Sequence, residues 1–270
     1  MLRQRVITAL ILAVVGLSAL FLLPPPAFAV AAAGLLTGAG GWEAARLAGL
    51  DARAQRIALA LVLLGICLAL LLWLPSTAAH WVMLTACAIW LVNIGWLARP
   101  ALGRGDRTAA IAGKLVVLAI ILAGAWLALA WLQSSSPWLV VMLLILIAAA
   151  DTFAYFTGRH FGGPKLAPRI SPGKTRTGAA GGLAGATALT ALSAFVLPDS
   201  PFTPAAGALV GLGLGMISIV GDLFISLLKR HRELKDTSAL LPGHGGVLDR
   251  FDSLVAALPF FALAVVLWGQ

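Results

Sequence analysis

Residues 115–132 read LVVLAIILAGAWLALAWL, an apolar run without a charged side chain. A helix needs about 20 such residues to cross roughly 30 Å of hydrocarbon, so this stretch predicts a transmembrane helix. Residues 6–23, 57–74 and 81–98 have the same character. Five further runs contain glycine or an acidic residue and still read as spans: 28–48, 137–156, 178–197, 202–225 and 251–268. The expectation is an all-α integral membrane protein with about nine transmembrane helices. Composition excludes a soluble domain: 61% of the 270 residues are hydrophobic and 11% are charged, against about 25% charged in soluble domains, and the mean hydropathy is +1.00.

The cations orient the chain. All 19 Lys and Arg residues fall in five groups: Arg3 and Arg5; Arg46, Arg53 and Arg56; Arg99, Arg104, Arg107 and Lys114; Arg159 to Arg176; and Lys229 to Arg250. With nine spans, every group lies on the N-terminal side of the membrane. The opposite connections, around Pro24–Pro26, Pro75–His80, Gln133–Pro137 and Pro198–Pro201, carry neither Lys nor Arg. Because Lys and Arg concentrate in cytoplasmic loops, the N-terminus and the charged loops are expected in the cytoplasm, with the C-terminus outside. The net charge of +9 is split among five membrane-flanking loops, which fits anionic head groups and excludes nucleic acid as the expected partner. Cys67 and Cys87 sit in apolar runs and read as packing residues. Arg3, Arg5 and the later Ala27-Phe28-Ala29 imitate a signal peptide, but the apolar run between them is long for a signal core and reads as an uncleaved first span.

One domain is expected over residues 1–270: scaffold spans in 1–135, catalytic spans and cytoplasmic loops in 136–270. Glu43, in GGWEAARLAG, is the polar exception in the first half. Its plainer reading is an interfacial carboxylate snorkelling beside Arg46, its sharper one a direct catalytic role. Gly207, Gly211 and Gly215 recur every four residues on one helix face, which predicts close helix approach in lipid.

Chemistry concentrates in SLLKRHRELKDTSALLPGHGGVLDRFD, residues 226–252. Just upstream, Asp222 lies in an apolar helix with Ser226 four residues on, and that face continues toward Lys229 and Arg230. Asp151 is similarly placed near the end of its own span. An intramembrane carboxylate is costly, so it should be paired or bind a cation. Beyond Lys235-Asp236, the glycines of Pro242-Gly243-His244-Gly245-Gly246 form a loop whose amides can approach an anion, ahead of a helix start at Asp249-Arg250-Phe251-Asp252. Asp249 and Asp252 could simply cap that helix, yet capping leaves Asp222, Asp236 and the surrounding cations unexplained. Carboxylates mixed with Lys and Arg suit Mg²⁺ with substrate phosphates as further ligands. His244, between glycines and without a second His at ligand spacing, reads as a loop or substrate contact rather than a zinc ligand. A second basic loop, GRHFGGPKLAPRISPGKTRTG, offers Ser171, Lys174 and Thr175. It is not a P-loop, because Pro168 stands where that motif needs glycine.

These residues resemble a known family. Ser226, Leu228-Lys229-Arg230, Lys235-Asp236, Leu241 to Gly246 and Leu248 to Asp252 are similar to the phosphatidate cytidylyltransferase signature. Asp151, Ala154-Tyr155-Phe156, Gly158-Arg159, Lys165 to Pro168 and Ile170 to Thr175 extend the resemblance, which covers residues 150–252 and, in the first half, only Trp42-Glu43 and the hydropathy. Arg176-Thr177 departs from it where an aromatic followed by Glu or Gln is common. The resemblance implies that CTP and phosphatidate give CDP-diacylglycerol and pyrophosphate with Mg²⁺ and a further cation such as K⁺. It also implies metal ligation by Asp222 and Asp249.

On that basis Asp236 and Asp252 support the metal, while Lys229, Arg230, Lys235 and Arg250 hold phosphates. Ser171, Lys174, Thr175, Ser226, His244, Gly245 and Gly246 are expected to contact substrate. The expected partners are CTP, phosphatidate from the inner leaflet, membrane lipid and a second copy in a homodimer. The alternatives are an ion-coupled transporter or channel and a CTP-dependent lipid kinase. A transporter should carry polar groups toward its outer face, where the loops hold a single acid, Asp199.

Overall fold

The computed structural model describes residues 2–105, 107–196 and 200–268, except for the side chains of residues 2–6, 76 and 77. Asp199 lies outside them. The chain runs α1 (Leu2–Leu22), α2 (Pro25–Ala33), a π-helical turn (Gly34–Ala39), α3 (Gly40–Ala48), α4 (Arg53–Trp73), α5 (Ser76–Leu97), α6 (Thr108–Ser135) and α7 (Pro137–Phe161). It continues through β1 (Lys165–Ala167), β2 (Ser171–Thr175), α8 (Arg176–Val196), α9 (Pro204–His231) and α10 (Leu248–Trp268). Among the described residues, seven helices, α4 to α10, are long and apolar enough to cross a membrane. The protein is therefore a multi-pass helical membrane protein. The apolar part of α1, Ile7–Leu22, is shorter, and residues 28–48, expected as one span, are divided by the π-helical turn. One departure from an all-helical chain is the antiparallel β1–β2 hairpin, with Lys165 opposite Thr175 and Ala167 opposite Ser171.

Local chemistry places the helix ends. Pro137 and Pro204 open α7 and α9, where a missing N–H costs nothing, and the Thr203 hydroxyl accepts from Ala206 N at 3.3 Å. At the end of α3, Gly49 takes φ 118°, the left-handed conformation that closes a helix. Thr175 Oγ1 caps α8 by accepting from Gly178 N at 3.1 Å.

α6 runs through the core, burying Leu118, Ile121, Leu122, Ala125, Trp126, Ala128 and Leu132. Trp126 Nε1 donates to Ala29 O at 2.8 Å, and Gln133 Nε2 donates to Leu20 O and Leu23 O, which ties α1 and α2 to it. A single hydrophobic cluster reaches from Leu20 to Val265. The spacing of Gly207, Gly211 and Gly215 does mark a close approach, and its partner is α8. A β-carbon at Gly207 or Gly211 would stand 2.5 Å from Thr190 O or Ala186 O, and one at Gly215 would meet Leu183 Cδ2 at 3.0 Å.

The cation-bearing loops are laced together at one end of the bundle, chiefly by the last turn of α9. Arg230 Nε donates to Ile170 O in the hairpin at 3.2 Å. His231 Nε2 lies 2.7 Å from Pro100 O in the α5–α6 connection. Arg232 grips both oxygens of Asp51, between α3 and α4, at 2.7 and 2.8 Å. Arg46 of α3 donates to Thr237 O at 3.0 Å.

Candidate active site

α9 and α10 carry the carboxylates. They can converge because α9 presents Gly221 to α10, where a β-carbon would lie 2.5 Å from Asp252 O and 2.7 Å from Ala256 Cβ. One residue further on, Asp222 Oδ1 accepts from Ser226 Oγ at 3.2 Å, the i, i+4 contact that the sequence spacing predicts. Asp222 Oδ2 forms an ion pair with Lys174 Nζ of β2. Thus the hairpin delivers a cation to the helix pair. Asp252 lies within electrostatic reach of Asp222, Lys174 and Lys229, and Asp151, exposed on α7, lies within reach of Lys174 and Asp222.

Asp249 forms a second, more enclosed centre, its side chain 4% exposed. Oδ1 accepts from Lys229 Nζ at 2.6 Å. Oδ2 accepts from Thr237 N at 2.7 Å and Gly246 N at 2.9 Å, and Thr237 Oγ1 lies 2.8 Å away. Asp249 therefore holds the loop between α9 and α10 closed upon itself. Capping of α10 falls to another residue: Val247 N and Leu248 N, at its entry, donate to Glu43 Oε1 and Oε2, both at 2.8 Å. A carboxylate at a helix N-terminus satisfies orphan amides and meets the positive end of the dipole.

Glu43 thus does not snorkel toward solvent. It is fully buried and also accepts from Ser238 Oγ at 2.6 Å, with Thr237 Oγ1 2.8 Å from Oε2. Three donors, with the Thr237 hydroxyl shared between it and Asp249, compensate its desolvation. Thus α3, from the first half of the chain, reaches into the loop between α9 and α10.

That loop walls a cavity of about 350 Å³, lined among others by Lys235, Asp236, His244, Gly245 and Arg250. Arg250 Nε donates to His244 O at 2.9 Å, and Gly243 and Gly245 take φ of 76° and 82°. Positive φ at Gly245 brings bare backbone against the acidic groups: a β-carbon there would stand 2.9 Å from Asp249 Oδ2 and 3.3 Å from Asp236 Cβ. The cavity consequently borders the Asp249 centre. Gly246 lies beneath it, buried, where any β-carbon would strike Thr237 Oγ1 and Glu43 Oε1.

Not every predicted site residue faces these centres. The Arg230 guanidinium secures the hairpin through Ile170 O, Thr175 caps α8, and Ser171 is paired in the sheet. Thr177, at the divergent Arg176-Thr177 position, donates to Gly162 O. Thr237 and Ser238 were missed although they lie inside the quoted block. The signal was two hydroxyl residues directly after Lys235-Asp236, within a loop that had to satisfy buried carboxylates.

As donors for a hard cation these residues fit in kind. Asp222 and Asp249 each have one oxygen already neutralised by a lysine ammonium, so positive charge is accommodated at both. Among the described residues no three His, Cys, Asp or Glu side chains are gathered closely enough to enclose a metal by themselves, so water and substrate oxygens would complete any Mg²⁺ shell.

Fold and site together define a multi-pass membrane protein that pairs carboxylates with lysine ammonium groups on and against α9 and α10, equipment suited to handling phosphates. The profile of the cytidylyltransferase family matches residues 3–268. The chain belongs to that family and is a nucleotidyltransferase. It is similar to the "Phosphatidate cytidylyltransferase" of Pseudomonas aeruginosa, with 40% identity over 272 residues that cover all of this chain and 98% of the relative. Proteins of the same name from Haemophilus influenzae and Bacillus subtilis are 45% identical over 131 residues and 41% identical over 125 residues. Each alignment covers 46% of this chain, with 44% and 46% of the respective relative.

Proposed function

We propose that this chain is a phosphatidate cytidylyltransferase, converting CTP and phosphatidate to CDP-diacylglycerol and pyrophosphate. The observation that carries this reading is the two ammonium–carboxylate pairs, Lys174–Asp222 and Lys229–Asp249, set on the closely packed helices α9 and α10, in a chain similar over its whole length to a bacterial protein of that name. An oxygen of the phosphatidate monoester attacks the α-phosphorus of CTP as the bond to the departing pyrophosphate breaks. Both reactants are anions, so positioning and charge neutralisation dominate and no strong base is needed.

Lys229, Lys235 and Arg250 hold the phosphates of CTP and lipid, and Arg230, expected among them, secures the hairpin through Ile170 O. The hairpin closes the site with Lys174, its shape held by the sheet pairing of Ser171 and the Thr175 cap, while Ser226, His244 and Gly245 complete the substrate contacts above the buried Gly246. Asp222 and Asp249 would hold Mg²⁺, supported by Asp236 and Asp252, with K⁺ as a further cation. Bound there, Mg²⁺ would supply charge neutralisation to the triphosphate and leaving group.

The topology proposed for this activity has nine spans, counting α1 and the α2–α3 unit. The chain forms one polytopic domain, scaffold in 1–135 and catalytic in 136–270, with α3 contributing to the latter. The N-terminus and the site face the cytoplasm and the C-terminus lies outside the inner membrane, so that CTP arrives from the cytosol and lipid sideways from the inner leaflet. The alternation of cation-bearing and cation-free connections supports this orientation.

Purified protein in detergent, given phosphatidate, labelled CTP and Mg²⁺, is expected to release one pyrophosphate per CDP-lipid formed and to stop when EDTA is added. Release of CDP with a phosphorylated lipid would instead identify a CTP-dependent kinase, and no nucleotide turnover would sink the proposal. Lys174→Met should lower kcat/KM by about 10²-fold. Because the Lys174–Asp222 pair is 29% and 30% exposed, the substitution should barely alter the thermal unfolding midpoint. A large fall in stability with intact turnover would assign Lys174 to the fold.

A further inference from the structure

The contacts around Thr237 join a residue of the first half to the site. Its hydroxyl oxygen lies 2.8 Å from Glu43 Oε2 and 2.8 Å from Asp249 Oδ2. A hydroxyl has one proton, so Thr237 can donate to only one of these carboxylates at a time. Each acid is meanwhile fixed by other groups. Glu43 holds Ser238 Oγ and the amides of Val247 and Leu248. Asp249 holds the amides of Thr237 and Gly246 and the Lys229 ammonium. Arg46, one helical turn beyond Glu43, clamps Thr237 O. The two carboxylates therefore grip the same stretch, residues 237–248, and Gly246 must be glycine for the grip to close.

We propose that Glu43 is a positioning residue for nucleotidyl transfer, acting through Thr237 to hold Asp249 and the cavity-lining loop in one arrangement. This rests on the reading of Asp249 as part of the site. Glu43 does not touch substrate, because it is fully buried behind Thr237 and Gly246. Its effect should appear as lost alignment, where a displacement of about 1 Å can cost about 10²-fold in rate.

The test compares Glu43→Gln, Thr237→Val and Thr237→Ser with wild type in detergent, measuring kcat and the KM values for CTP and phosphatidate, with kcat referred to the monodisperse fraction. Thr237→Val and Glu43→Gln are expected to lower kcat by about 10²-fold with KM for phosphatidate unchanged, and Thr237→Ser, which keeps the hydroxyl, should stay within about 3-fold of wild type. Three results would overturn the proposal: Glu43→Gln or Thr237→Val turning over at the wild-type rate, Thr237→Ser losing as much as Thr237→Val, or Thr237→Val aggregating entirely while Thr237→Ser does not. The last would assign the hydroxyl to folding alone. Should Glu43→Gln fail to fold, the Thr237 pair decides. Failure of the underlying functional reading looks different, since wild type itself would then make no CDP-lipid.

Discussion

Asp249→Ala is expected to lower CDP-lipid formation by about 10³-fold, with part of the loss arising from the loop and part from the missing charge. Truncation strands Lys229, whose side chain is 13% exposed, and frees the amides of Thr237 and Gly246. An uncompensated buried charge alone costs about 3–5 kcal/mol, so the alanine protein should also melt earlier. Asp249→Asn separates the contributions. Its amide oxygen can still accept from Thr237 N and Gly246 N, but its nitrogen cannot accept from Lys229. The asparagine protein should elute as a monodisperse species and still turn over about 10²-fold or more slowly. Near wild-type turnover by Asp249→Asn would show that the carboxylate only organises the loop.

The membrane spans were legible because burial in lipid imposes a length and a composition on each helix separately. The predicted starts and ends of 57–74 and 137–156 fall within a few residues of α4 and α7. The extension of α9 beyond its apolar run was not legible: it continues to His231 rather than ending near 225, because continuation past the apolar run is decided by tertiary partners such as Ile170 O and Asp51. Likewise the hairpin at 165–175 is two short strands rich in Gly, Pro and Lys, and nothing in its composition favours a strand over a loop. The chemistry of Ser226 with Asp222 could be read from i, i+4 spacing. The Glu43–Thr237 contact joins residues 194 positions apart, and no local pattern encodes it. What the sequence did contain was the cost of an acid in an apolar segment, which demands a partner without naming one. Lys174 with Asp222 is the same case, since the hairpin and α9 had to be brought together before their charges could meet.

That convergence depends on helix spacing, and the most direct probe of it is Gly221→Ala. The added methyl would stand 2.5 Å from Asp252 O, a backbone atom that cannot swing aside, and 2.7 Å from Ala256 Cβ. α9 and α10 must then move apart at the level of Asp222 and Asp252, a strain typical of overpacking at about 1–3 kcal/mol. The rate should suffer more than the fold, because separation at this point changes the distance between the carboxylates that shape the site, and about 1 Å can remove about 10²-fold in rate. The expected result is a lower unfolding midpoint in detergent together with a fall in kcat of about that size. Gly213→Ala is the control on the same helix: a β-carbon there meets nothing within 4 Å, and the better helix propensity of alanine should leave stability and turnover unchanged. Equal behaviour of the two variants would mean that α9 and α10 can separate at Gly221 without disturbing the site, and that the close packing serves the fold alone.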